Sequence, residues 1–130
     1  MNEIQVIERK ITPNYKVCLY HNSILLNCGV HVKDLIPYIK DIKVLLLTKT
    51  NNSKFNIKTL NYMIKNIEGL KIVCPDVIKR NYLVGYSDVH DIYSAIIHED
   101  ILINPRFRHN TFIGYQIYKD GKYLFTYHNL

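Results

Sequence analysis

Three short apolar runs, separated by segments with helical spacing, most constrain what this chain can fold into. They are ILL at 24–26, VLLL at 44–47 and IVC at 72–74. A continuous apolar run of this length predicts a strand covered on both faces, as parallel strands flanked by helices are. The order of the elements predicts an α/β protein, a layered sandwich with a mixed sheet flanked by helices.

The segments around these runs carry turn and cap signals. A hairpin is predicted over Tyr15–Cys28, with its turn at 21–23, because Asn and Ser support local backbone turns. A second prediction is a helix that begins after Asn56, a suitable N-cap, and ends before Gly69. The predicted buried face of this helix consists of Ile57, Leu60, Ile64 and Ile67.

Proline, aspartate and glycine set the remaining boundaries. Pro37 must kink or shorten a helix predicted over 32–39, because proline lacks a backbone donor. Asp76 is expected to cap the next helix. From Asp100 the pattern becomes all-β, and the Asp-Gly pair at 120–121 predicts a C-terminal β-hairpin.

Length and composition bound the class of protein. The 130 residues suit one domain, 1–130, and 48% hydrophobic residues are typical of globular chains. No apolar run approaches the ~20 residues of a membrane span, and the N-terminus lacks the apolar segment of a secretory signal. A cytoplasmic protein without membrane contact is therefore expected. Frequent Ile, Asn, Lys and Tyr are typical of AT-rich coding sequences and suggest a viral or mobile-element source.

The reactive residue types exclude several functions. The three cysteines are scattered without a C-x-x-C pair, which argues against a disulfide framework and a thiolate zinc site. The six histidines form no H-x-H or H-E-x-x-H pattern, and no glycine-rich phosphate loop is present. The net charge of +6 is dispersed, so it fits either a nucleic-acid partner or an ordinary solvated surface.

Four segments occur in the order found in one known family. They read ILLNCG at 24–29, VLLLTKTNNSKFN at 44–56, KIVCP at 71–75 and INPRFRHNTFIGYQIY at 103–118. This series resembles the opening half of the metallo-β-lactamase-like hydrolases, whose motifs read approximately I-L-L-D-C-G and L-L-T-H-x-H-x-D-H. The fourth segment is similar to the block with a loop histidine, here His109, and a following glycine, here Gly114. Its spacing resembles the nuclease-like β-CASP branch, including inactive subunits of RNA 3′-end processing complexes, and small phage-encoded relatives.

The resemblance implies a zinc site whose ligands have been replaced. The positions of the first ligand motif are occupied by Lys49, Asn51, Ser53 and Lys54. Asn27 replaces an aspartate, Tyr127 or His128 falls near the position of the bridging aspartate, and His109 matches one retained ligand. Zinc needs about four donors from imidazole, thiolate or carboxylate, and a lysine ammonium cannot donate. We therefore expect a vestigial site without metal, cofactor or catalytic residues, in a protein that is not an enzyme.

Two classes of function follow. The first is a truncated, non-catalytic protein-binding module, an inhibitor or assembly subunit, because a sheet face left bare by the missing half of the family's fold would be covered by a homodimer or another protein. Its vestigial-site candidates are Lys49, Asn51, Ser53, Lys54, His109 and His128. A relative of the eukaryotic processing subunits would be nuclear.

The alternative is an RNA- or DNA-binding protein that uses the basic cleft. Its candidate contacts are Lys49, Lys54, Arg106 and Arg108. The segment NPRFRHNTF at 104–112 interleaves basic and aromatic residues, as single-strand nucleic-acid surfaces do. A strand with core Phe and exposed Arg would give the same pattern. A metal-dependent hydrolase is the third option.

Overall fold

The two halves of the chain form different kinds of sheet. The computed structural model describes residues 8–11, 17–20, 22–49, 54–92 and 95–128. Its contacts divide the chain into two units, Met1–His90 and Asp91–Leu130. The first unit contains a mixed sheet and the helices, and the second contains an antiparallel sheet. These elements confirm the predicted α/β class with its mixed sheet, helices and C-terminal hairpin, whereas the single domain over 1–130 stays a prediction.

The sheet of the first unit has the strand order β1-β2-β3-β4-β5-β6. The strands are β1 Glu8–Lys10, β2 Cys18–Tyr20, β3 Ile24–Leu26, β4 Val44–Leu46, β5 Lys71–Val73 and β6 Val89–His90. The first three pair antiparallel, and β3 to β6 pair in parallel. The β2–β3 hairpin confirms the one predicted from the sequence. Its turn includes Asn22 with φ of 60°, a conformation that Asn tolerates better than most residues.

The centre of this sheet is buried on both faces. Leu25, Leu45 and Ile72 lie side by side in register and belong to one hydrophobic cluster with Leu60 and Met63 of a helix. Neighbouring residues of the same strands point to the opposite face and are also buried. This burial confirms that the apolar run at 44–47 forms a central strand.

Helices connect the parallel strands. They are α1 Val32–Leu35, a 3₁₀ helix Ile36–Asp41, α2 Ile57–Asn66 and α3 Asp76–Tyr82. Pro37 lies at the start of the 3₁₀ helix and limits α1 to about one turn, as predicted. Among the described residues, no helix combines the length and apolar character needed to cross a membrane.

The N-cap of α2 forms as predicted, but its buried face differs. The side-chain oxygen of Asn56 accepts hydrogen bonds from the backbone N–H groups of Lys58 and Thr59, at 3.0 and 3.4 Å. Leu60 is buried as expected, whereas Ile57 is exposed and Thr59 is buried in its place. The reason is a hydrogen bond: the Thr59 hydroxyl donates to the carbonyl oxygen of Val30 in a neighbouring loop. That bond turns Thr59 toward the core.

The helix after β5 begins one residue earlier than expected. Pro75 occupies the N-cap position without a side-chain cap, and Asp76 is the first helical residue. The predicted cap by Asp76 is therefore wrong. Its carboxylate instead forms an ion pair with Arg80 one turn later, with Nε 2.6 Å from Oδ2.

The second unit is an antiparallel sheet with the order β10-β9-β8-β7. Its strands are β7 Ile96–His98, β8 Ile101–Arg108, β9 Thr111–Lys119 and β10 Lys122–His128. The β9–β10 turn has positive φ at Asp120 and Gly121, which confirms the predicted Asp-Gly hairpin. His109 and Asn110 form the β8–β9 turn in the same left-handed conformation.

A β-bulge interrupts the pairing of β8 with β9. Arg106 lies opposite Gly114 and Phe107 lies opposite Phe112, so Ile113 is an extra residue in β9. Gly114 has φ of 147°, which a glycine adopts without a side-chain clash. Because of this extra residue, Phe112 and Gly114 lie on opposite faces of the sheet, although only one residue separates them in the chain.

We predict that Asn56→Ala lowers the free energy of unfolding by about 1–2 kcal/mol, because two N–H groups of the first turn of α2 lose their acceptor. Urea denaturation followed by circular dichroism measures this change. Asn61→Ala is the matched control, because Asn61 is exposed within the same helix. Equal unfolding free energies for the two variants would contradict the role of Asn56.

Candidate functional site at the strand ends

A buried asparagine links the ends of β3 and β4. Asn27 directly follows β3, and Thr48 lies two residues after β4. The Asn27 Oδ1 atom accepts hydrogen bonds from the backbone N–H of Thr48 at 3.1 Å and from its hydroxyl at 2.9 Å. Both residues are buried. One amide oxygen therefore satisfies two donors that have no access to solvent.

The backbone at Asn27 has φ of 65°. Asn is one of the few residues other than glycine that visit this left-handed region. The backbone N–H of Asn27 also donates to the carbonyl oxygen of Leu46 at 2.7 Å. The chain thus turns sharply at the end of β3 while it remains bonded to β4.

The loop before α2 returns to the same place. The backbone N–H of Cys28 donates to the carbonyl oxygen of Lys54 at 3.0 Å. The Asn56 side-chain amide donates to the carbonyl oxygen of Val30 at 3.3 Å. These bonds hold the start of α2 against the loop that follows β3, so the segments after both strands form one connected region.

Cys28 is buried within this region. Its thiol donates weakly to the carbonyl oxygen of Asn56, at 3.9 Å. Burial raises the pKa of the Cys28 thiol to about 11, and a hydrogen bond with the Asn56 backbone lowers it by a smaller amount. The thiol is therefore protonated near neutral pH, and a protonated thiol is neither a strong nucleophile nor a metal ligand.

Two of the residues predicted for the vestigial site, Lys49 and Lys54, are described in the first unit. Lys49 is exposed just beyond Thr48, whereas Lys54 is buried, with 7% of its surface exposed. Asn51 and Ser53 lie outside the described residues. Lys49 and Lys54 thus differ in solvent exposure, and Lys54 does not present an ammonium group on the surface.

The remaining predicted residues belong to the second unit. His109 is exposed in the β8–β9 turn, and Arg106 and Arg108 lie in β8. The backbone of His128 pairs with Gly114, and the His128 side chain lies outside the described part of the chain.

The hydrogen bonds among Asn27, Thr48, Cys28 and Asn56 and their neighbours form what we call the strand-end network. The sequence did not predict Thr48, Cys28 and Asn56 as parts of it. Asn56 was recognised only as a helix cap. The available signal was a polar residue directly after an apolar run of the sequence, as at Asn27 and Thr48.

The strand-end residues do not fit a zinc ion. Within the described ranges, no three His, Cys, Asp or Glu side chains are grouped so that they could hold a metal ion. The described side chains at this place are an amide, a hydroxyl, a protonated thiol and lysine ammonium groups. Asn27 Oδ1 already accepts two hydrogen bonds. This donor set lacks the imidazole, thiolate and carboxylate groups that zinc requires.

We predict that Asn27→Ala lowers the free energy of unfolding by about 2–4 kcal/mol, because two buried donors lose their acceptor and alanine is strained at this φ. Asn27→Gly loses the same hydrogen bonds without the strain, so a smaller loss of about 1–3 kcal/mol is expected. Urea denaturation of both variants separates the two contributions. A loss below about 1 kcal/mol in both variants would contradict the network.

The Cys28 pKa predicts a dependence of stability on alkaline pH. Because the folded pKa of about 11 lies above the unfolded value, of about 8.5, the protonated thiol favours the folded state. This contribution is fully present below the unfolded pKa and is lost as the pH rises through the folded pKa. The difference in unfolding free energy between wild type and Cys28→Ala should therefore shrink across this window. A difference independent of pH would show that the thiol does not titrate as described.

The comparisons with known proteins agree with this geometry at the level of fold. No protein-family model matches the sequence, and no curated protein matches it. A solved structure that matches is the metallo-beta-lactamase fold protein YhfI from Bacillus subtilis, at 14% identity and a TM-score of 0.53. The match covers 81% of this chain and 50% of YhfI, so the chain spans about half the length of that protein. The chain therefore has a partial metallo-β-lactamase-like fold, as its sequence motifs predict.

Proposed function

We propose that this protein is a non-catalytic binding module, an inhibitor or assembly subunit built on a partial metallo-β-lactamase-like fold. The observation that carries the proposal is the strand-end network. There, Asn27 Oδ1 bonds to Thr48, and the Cys28 thiol is protonated. These groups satisfy one another, so they hold the loops in place but supply no nucleophile or general base.

Catalysis of hydrolysis requires a group that activates water. Lys49 and Lys54 carry positive charge in the region where relatives with the intact motif would hold zinc, and neither can replace a metal-bound hydroxide. Recognition of another molecule is the activity that this arrangement supports. A metal-dependent hydrolase is the poorer alternative.

The partner in this proposal is a protein. The resemblance predicts an uncovered sheet face. The structure corrects that expectation: residues on both faces of β3 and β4 are buried in the single chain. The support now comes from the segment 77–84, where Val77, Tyr82 and Val84 are 50%, 41% and 85% exposed. These exposed apolar side chains belong to one segment of the chain and are candidate contacts for a protein partner.

The ring of Tyr82 is held in place by a neighbour. Its centroid lies 4.9 Å from that of Phe55, at an interplanar angle of 52°. A fixed aromatic side chain loses little entropy on binding, which favours Tyr residues as contacts at interfaces. The partner is either a second copy of the chain or a different protein.

Two measurements test this function. Protein purified without added zinc should contain far less than one equivalent of the metal by elemental analysis. Analytical ultracentrifugation, alone and with protein captured from host extract, should show a complex that Val77→Ser/Val84→Ser weakens. The matched control is Lys33→Ser/Lys79→Ser, which changes exposed polar positions of the same unit. Stoichiometric zinc, or a monomer that captures nothing, would overturn the proposal.

A second candidate function is the binding of nucleic acid. The observation that favours it is the pair Arg106 and Arg108, because neither forms an ion pair with another described residue. Unpaired arginines are available to contact phosphates. Buried Lys54 is not an exposed cation of the kind that the sequence suggested.

A further inference from the structure

The register of the second sheet sorts its side chains into two faces. Partners directly opposite each other share a face, and the face alternates along each strand except at the extra residues Ile113 of β9 and Leu124 of β10. We name one of them the Arg–Tyr face. Its residues include Leu102, Asn104, Arg106 and Arg108 of β8, Thr111, Gly114, Gln116 and Tyr118 of β9, and Tyr123 and Thr126 of β10.

The opposite face holds the apolar residues of the sheet. Ile103, Tyr115 and Ile117 on that face are almost fully buried. The ring of Phe112 contacts both Phe107 and Tyr115, with centroids 6.0 and 5.0 Å away. The two arginines thus lie on the opposite face from Phe107, which stands between them in the sequence, as strand alternation predicts.

The residues of the Arg–Tyr face form successive rows across the strands. Tyr118 and Tyr123 are directly opposite and touch edge to face, with ring centroids 5.8 Å apart. The next row places Asn104 opposite Gln116. The basic row follows, with Arg106 opposite Gly114, which has no side chain to cover it. Rows are separated by about 7 Å along a strand.

Each row contains groups that are accessible to a ligand. Tyr123 is 54% exposed, so one surface of its ring is open to solvent. The Tyr118 hydroxyl donates to Gln116 Oε1 at 2.9 Å, which orients the Gln116 amide and leaves its NH₂ free to donate. Arg108 is exposed and Arg106 is partly exposed. On the described strands, this face carries no carboxylate that could neutralise them.

We infer that the Arg–Tyr face binds single-stranded nucleic acid. This inference rests on the second candidate function and assigns it a surface. Arg106 and Arg108 contact backbone phosphates, Tyr123 stacks on a base, and the Asn104 and Gln116 amides donate or accept hydrogen bonds at base edges. A single strand is favoured over a duplex because only unpaired bases offer their flat faces to an aromatic ring.

Charge complementarity favours nucleic acid over a protein partner for this surface. The buried centre of a protein interface is mostly apolar, although Tyr and Arg are enriched there. The Arg–Tyr face instead combines two cations, two amides and two phenols, and Leu102 is its only aliphatic residue among those named. That composition matches a polyanion with aromatic bases.

Fluorescence anisotropy with labelled oligothymidylate and oligouridylate, at several salt concentrations, tests the inference. Arg106→Ala/Arg108→Ala should weaken binding roughly tenfold or more at low salt and reduce the slope of log affinity against log salt by about 1.4. Tyr123→Ala should weaken binding about fivefold or more, whereas Tyr123→Phe should retain it, because stacking requires the ring and not the hydroxyl. Circular dichroism establishes that each variant is folded.

The matched control is Lys58→Ala/Lys65→Ala, which removes two exposed cations from α2 in the other unit. This variant should keep the wild-type affinity and most of the salt slope. If the oligonucleotides bind but the arginine and control variants weaken binding equally, the Arg–Tyr face is the wrong surface while nucleic-acid binding stands. If wild-type protein binds neither oligonucleotide at low salt, both the surface and the second candidate function fall. Loss of self-association in Arg106→Ala/Arg108→Ala without any oligonucleotide binding would make the face a protein interface and overturn the inference.

Discussion

The end of the central strand pair depends on one amide oxygen. β3 and β4 contribute only three residues each, and the chain leaves both strands into buried loops. Buried polar groups must be paired, and Asn27 Oδ1 pairs the N–H and the hydroxyl of Thr48 together. The loop before α2 then joins the same region through Cys28 and Lys54. The position of α2, which contributes Leu60 and Met63 to the core, follows from these bonds.

The same bonds determine what chemistry this region can support. A catalytic centre keeps polar groups unsatisfied by the protein, so that they can bind a metal, a water or a substrate. Here the amide and hydroxyl bond to each other, and burial keeps the Cys28 thiol protonated. A region whose polar groups bond to one another gains rigidity. This is the physical basis for proposing a binding module rather than a hydrolase.

The described elements of the second unit are all strands. Its β-bulge and the glycine within it allow β8 and β9 to pair over their whole length. Alternation along those strands then separates an apolar face from a polar one. On the apolar face Ile103, Tyr115 and Ile117 are almost fully buried, and the polar face is left with arginines, amides and tyrosines. One sheet can therefore combine a structural role with the recognition role that we infer for it.

Features that depend on neighbours in the sequence were predictable from the sequence by itself. The central apolar strands, the Asn22 turn, the Asn56 cap and the Asp-Gly hairpin each follow from the conformational preference of a few adjacent residues, and so did the likeness to the metallo-β-lactamase-like fold. Only the tertiary structure decided which surface each element buries. A hydrogen bond to Val30, far away in the sequence, brings Thr59 into the core and leaves Ile57 exposed. In the same way, strand pairing and a bulge place Arg106 and Arg108 on the same face of the sheet as Tyr118 and Tyr123. Such contacts join distant residues, and local propensity carries no information about them.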